Sequence, residues 1–101
     1  MKFNGIEVPD ARIAEYCRAW QVVELSLFGS VLRPDFRPDS DVDVLVSFSP
    51  EARWSLYDIV EMMDELKGIF RREVDLVEKE ALRNPFRRRE ILATRRVIYA
   101  A

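Results

Sequence analysis

The chain of 101 residues contains no histidine, a single cysteine (Cys17) and only three glycines. Without histidine, a Ser-His-Asp triad and a Cys-His pair are both excluded within the chain. With one cysteine no internal disulfide can form, which suits a reducing compartment, and a cytoplasmic setting is expected. Zinc sites built from Cys and His are excluded for the same reason. A bound metal must therefore take oxygen ligands, which favours magnesium or manganese. No apolar run approaches the roughly 18 residues of a membrane span. The first residues lead into no apolar core segment, so neither a secretory leader nor a membrane contact is expected.

What is present fits a folded domain. Hydrophobic residues make up 49% and charged residues 34%, which argues against disorder. The length suits one domain over 1–101, with one modest core. The net charge of -2 gives no reason to expect direct nucleic-acid binding. The charge is uneven, however. Residues 71–96 hold nine Lys/Arg against five Asp/Glu, a local +4, which leaves the rest of the chain at -6. The plainer reading, a solvated helix with local ion pairs, is adopted over a docking surface for an acidic partner or a nucleotide.

Periodicity predicts a helix over 10–20, with Ile13, Tyr16, Cys17 and Trp20 on one stripe. A strand follows over 22–28, where Val23, Leu25 and Leu27 alternate with Glu24 and Ser26. Gly29 ends it, and residues 32–40, with two prolines, read as a loop. A second strand covers 41–48. Ser55 and Asp58 have the spacing of a capping box. The helix they open places Leu56, Ile59, Val60, Met63, Leu66 and Phe70 on its core face. A short strand at 74–77, a helix from Asn84-Pro85 to about 93 and a last strand at 97–99 complete the order.

Three features carry chemistry. Gly29 and Ser30 follow a strand directly, where a glycine lets the backbone approach a phosphate and a serine adds a hydroxyl donor. Asp41 and Asp43 open the second strand two residues apart, hence on one face, with Val42, Val44, Val46 and Phe48 on the other. Two such carboxylates repel by roughly 4 kcal/mol at 4 Å for an effective dielectric of about 20, a cost that a cation removes. The plainer alternative is a loop-end cap plus one exposed strand residue. Asp75 lies within an apolar strand expected to be mostly buried. A carboxylate there needs a partner, either Arg71 or Arg72 in an ion pair, or a metal or a substrate proton.

Together these pieces resemble the signature of the nucleotidyltransferase superfamily related to DNA polymerase beta. That signature is an apolar residue, Gly, Gly or Ser, a spacer, then Asp-apolar-Asp/Glu-apolar. The run Leu27-Phe28-Gly29-Ser30, Arg33, Arg37-Pro38-Asp39-Ser40-Asp41-Val42-Asp43-Val44 is similar to the minimal nucleotidyltransferase (MNT) family. Val74-Asp75-Leu76-Val77 resembles the strand of its third carboxylate. Asn84-Pro85-Phe86 and Arg88-Arg89-Glu90-Ile91-Leu92 resemble its C-terminal segment. One departure is Arg33-Pro34-Asp35-Phe36, where members often carry Arg-Gly-Asp; proline stiffens this loop.

The resemblance implies an α/β (α+β) fold, a small mixed sheet with helices packed mainly on one side. It implies transfer of a nucleoside monophosphate from a triphosphate to a hydroxyl. Asp41, Asp43 and Asp75 would hold two Mg2+ ions (Mn2+ being an alternative) and serve in catalysis. Gly29, Ser30, Arg33, Arg37 and Ser40 would contact the nucleotide, ATP, although Arg33 and Arg37 read equally well as surface residues. Stand-alone members of this size resemble antitoxins that move AMP onto a tyrosine of a partner HEPN-family ribonuclease toxin, in a hetero-oligomer. Two rivals are a non-catalytic antitoxin acting by contact and a transferase for a small-molecule hydroxyl.

Overall fold

The computed structural model describes residues 1–101. The chain opens with two short strands, β1 (Lys2–Phe3) and β2 (Ile6–Glu7), and continues with α1 (Asp10–Ala19) and β3 (Val22–Phe28). A 3-10 turn (Gly29–Leu32) leads through a loop to β4 (Val42–Phe48), α2 (Leu56–Phe70) and β5 (Val74–Glu78). A second 3-10 turn (Lys79–Ala81), α3 (Pro85–Thr94) and β6 (Arg96–Ala100) complete it.

β1 and β2 form a hairpin that the alternation pattern did not reveal. Its signal is Asn4-Gly5, both at positive φ (48° and 85°), the backbone that tight hairpin turns require. The main sheet has the order β5-β4-β3-β6. β3 pairs antiparallel with β4 and β6, whereas β4 and β5 are parallel, with α2 as their crossover. The sheet is thus mixed, as expected.

Its two faces are covered unequally. The larger core joins Ile13 and Cys17 of α1, Met62 and Leu66 of α2, and Leu25, Leu27, Val42, Val44 and Val46 of the sheet. The smaller one joins Phe28 and Leu45 to Leu82 and Ile91, beneath α3. α1 and α2 therefore share one face and α3 takes the other. Cys17 is an inert core thiol, its pKa pushed up by burial to about 12. Trp20 sits at the core's edge. Its ring meets Trp54 edge-on at 5.1 Å, and its N–H donates to Glu65 at 2.8 Å.

Two core faces differ from the pattern. In β3 a bulge between Val22 and Glu24 buries Val22 and turns Val23 outward. Ser26, expected on the polar face, is buried beneath the second layer with its hydroxyl unpaired. In α2 the capping box of Ser55 and Asp58 forms as expected. Its buried stripe, however, is Met62, Leu66, Ile69 and Phe70, while Leu56 and Val60 are 78% and 51% exposed. Apolar residues occupy so much of this helix that its period admits several faces, and contact with the sheet selects one.

Candidate active site

The candidate residues meet at the end of the sheet where β3 finishes and β4 and β5 begin. Register brings them there. Phe28 pairs with Asp43, and Asp43 pairs with Asp75, across three adjacent strands. Strands lie about 4.8 Å apart and register partners in a parallel pair share a face, so Asp43 and Asp75 stand side by side on the α3 face. Asp41 precedes β4 and is exposed.

Gly29 adopts φ +73°, a left-handed conformation that favours glycine. A Cβ at Gly29 would collide with the carboxylate of Asp43, so bare backbone packs directly on that group. Asp43 is half-buried, and its pKa is raised, first by burial and next by the charge of Asp75. Asp41 adds to the rise, while the Ser30 backbone N–H and Arg87 act against it. Burial and neighbouring carboxylates thus outweigh the one cation that acts on Asp43.

Asp75 is exposed, contrary to the expectation of burial. β5 is an edge strand, with β4 as its one neighbour in the sheet. No ion pair joins Asp75 to Arg71 or Arg72. Arg71 instead caps α2 at φ 58°, and Arg72 donates to the backbone carbonyls of Arg37 (2.6 Å) and Ser40 (2.7 Å). Its guanidinium also lies 4.7 Å above the ring of Phe36. From the other side, the Asn4 amide donates to the carbonyls of Val31 and Arg33, both at 2.8 Å. The loop between the Gly-Ser turn and the aspartates is thereby clamped at both ends, by two residues whose role no local pattern announces.

Beside the Gly-Ser turn lies a cleft of about 560 Å³, lined by Gly29, Ser30, Leu32, Arg33, Glu90 and Thr94. Asp43 adjoins it through Gly29. Arg33 stands at its rim, engaged with Asp35 at 3.3 Å. Arg37 and Ser40 line no part of it; the structure engages both through backbone carbonyls. The sequence reading missed Glu90 and Thr94, whose place depends on how α3 lies against the sheet.

As the side chains stand, no three acidic groups converge tightly enough to form a finished metal cage. The donor set nonetheless fits a hard divalent ion: carboxylate oxygens only, with Asp43 burdened by its neighbours' charge. An ion between them would relieve that burden.

A mixed sheet whose end joins a Gly-Ser turn to in-register aspartates defines a nucleotidyl-transfer architecture. Residues 11–98 match the family described as "Nucleotidyltransferase domain", and the chain belongs to it, as one of the minimal nucleotidyltransferases. It is 40% identical over 63 residues to the protein adenylyltransferase MntA of Thermococcus cleftensis, covering 62% of each chain. It is 31% identical over 72 residues to a "Putative protein adenylyltransferase" of Methanocaldococcus jannaschii, covering 71% of this chain and 72% of that one. Among solved structures it is similar to a protein described as a "putative minimal nucleotidyltransferase" (30% identity, TM-score 0.69, 85% of each chain). It also shares its fold with a chain of a toxin–antitoxin complex crystallised with AMP-PNP (17% identity, TM-score 0.71, 92% of this chain and 74% of that one).

Proposed function

We propose that the 101 residues form one nucleotidyltransferase domain that moves AMP from ATP to a tyrosine hydroxyl of a HEPN-family toxin in the cytoplasm, acting as its antitoxin. The observation that carries this reading is the register of Asp43 with Asp75, beside a glycine whose backbone packs on Asp43. The naming of two relatives as protein adenylyltransferases supports the protein acceptor, and the AMP-PNP complex of a structural neighbour supports ATP.

In this reading the hydroxyl oxygen attacks the α-phosphorus and forms the new P–O bond as the bond to the pyrophosphate oxygen breaks. Pyrophosphate leaves with the electron pair. Asp75, exposed at the sheet edge, faces the acceptor and takes its proton, a task that falls to a carboxylate in a chain without histidine. Gly29 and Ser30 bind the terminal phosphates. Asp41, Asp43 and Asp75 would hold two Mg2+ ions, which in such sites stabilise the attacking and leaving oxygens of an in-line displacement.

The test is incubation with α-labelled ATP, magnesium and a purified HEPN partner, with label read on the partner's tyrosine. Transfer should be present in the wild type and lost in Asp43→Ala. No transfer with any nucleotide, together with unchanged neutralisation by Asp41→Ala/Asp43→Ala, would leave contact inhibition as the mechanism.

A further inference from the structure

Resting on the nucleotide reading above, we infer that Arg87 of α3 is the side chain that binds the polyphosphate, the role the family resemblance implies for Arg33 or Arg37. On α3, Ile91 is buried against the sheet. Residues 87, 90 and 94 are spaced i, i+3 and i+7, so they share one flank of the helix. Glu90 and Thr94 of that flank line the cleft beside Gly29 and Ser30. Arg87, one turn nearer the helix start, lies close enough to Asp43 to favour its charged form. The flank thus runs from the cleft toward Asp43, with Arg87 as its cation.

Arg87 is also available. It is exposed, and it takes part in none of the structure's four ion pairs, not even with Glu90 three residues on. Its side chain makes no hydrogen bond; its backbone N–H alone is engaged, by the Asn84 cap. Neither of the other two arginines offers an unpaired side chain on this flank, although Arg33 lines the cleft. Arg33 is engaged with Asp35. Arg37 lies outside the cleft lining, and its carbonyl is fixed by Arg72. A polyanion arriving beside Asp43 and Asp75 meets repulsion from both. An unpaired guanidinium on the facing helix offsets it and offers a planar fork that matches phosphate oxygens two at a time.

The experiment is calorimetric titration of the full chain, with magnesium, using ATP, inorganic tripolyphosphate and adenosine as separate probes. Arg87→Ala should weaken ATP and tripolyphosphate by about ten- to hundred-fold, the usual consequence of losing a charged hydrogen bond. Adenosine affinity should stay unchanged, and Arg87→Lys should recover part of the loss. Arg89→Ala, two residues on and off that flank, is the control and should match the wild type. Because the Arg87 side chain makes no hydrogen bond or ion pair, its removal should move the unfolding midpoint only slightly, separating binding from folding. Wild-type affinity for tripolyphosphate in Arg87→Ala would overturn the assignment while leaving the transferase reading intact. Failure of the wild type to bind either ATP or tripolyphosphate would overturn both.

Discussion

Gly29→Ala tests the site most directly, because two separate effects meet at one atom. The first is conformational. Gly29 has φ +73°, where an L-residue costs about 1–2 kcal/mol. The second is steric, since the new Cβ would collide with the Asp43 carboxylate and stand 3.3 Å from its Cγ. That carboxylate ends a half-buried side chain, so it can rotate aside at about 0.5–1.5 kcal/mol. Stability should fall by roughly 1.5–3.5 kcal/mol in all, and each kcal/mol lowers the unfolding midpoint of a domain this size by about 4–8 °C. Function should suffer far more. Relieving the collision moves the carboxylate on the order of 1 Å, a misplacement that costs about 100-fold in rate.

Gly5→Ala separates the two effects. Gly5 has φ +85° but open space around its missing Cβ, so this variant carries the backbone strain alone. It should lose about 1–2 kcal/mol and keep its transfer rate. Circular dichroism melts give the stabilities, and labelled AMP transfer to a partner gives the rates. If Gly29→Ala transferred AMP at the rate of Gly5→Ala, the packing of Gly29 on Asp43 would have no bearing on function, and the site argument would fail.

Two further outcomes follow from the same geometry. Because burial and the charge of Asp75 raise the pKa of Asp43, the metal-free native state holds its proton more tightly than the unfolded chain does. Stability should therefore fall as pH rises from about 4, the ordinary aspartate value, through the raised native pKa. Asp43→Asn should flatten that decline and raise the melting midpoint at pH 7 with chelator present, while abolishing transfer; a variant melting below the wild type at pH 7 would contradict the electrostatic account. Arg72→Ala removes the clamp on the carbonyls of Arg37 and Ser40 and should weaken ATP binding several-fold while faster amide exchange appears in residues 33–40, with unchanged exchange there counting against the clamp.

Much of this protein is legible locally. The strand over 22–28, the Ser55–Asp58 capping box and the Asn84 cap before Pro85 are all short-range chemistry, and each stands where its residues put it. The Gly-Ser turn and the Asp-Val-Asp strand start are equally local. The Asn4-Gly5 hairpin was local too, but its flanking strands are only two residues long, too short for alternation to register.

The tertiary structure decided what lies between segments. Asp43 and Asp75 are far apart in the chain, and only parallel pairing of β4 with β5 sets them side by side. The same pairing leaves β5 at the sheet edge, which is why Asp75 is exposed rather than buried. On α2 the expected Leu66 and Phe70 are buried, but the sheet selected Met62 and Ile69 to join them rather than Leu56 and Val60. Arg72, Asn4 and Arg87 carry no pattern of their own, because an arginine or an asparagine takes its role from whichever carbonyl or charge the fold brings within reach. The sequence by itself determined which chemistry is available, namely oxygen ligands, a glycine-bared turn and no histidine. Strand register, which depends on contacts distant in sequence, determined that these groups share one site.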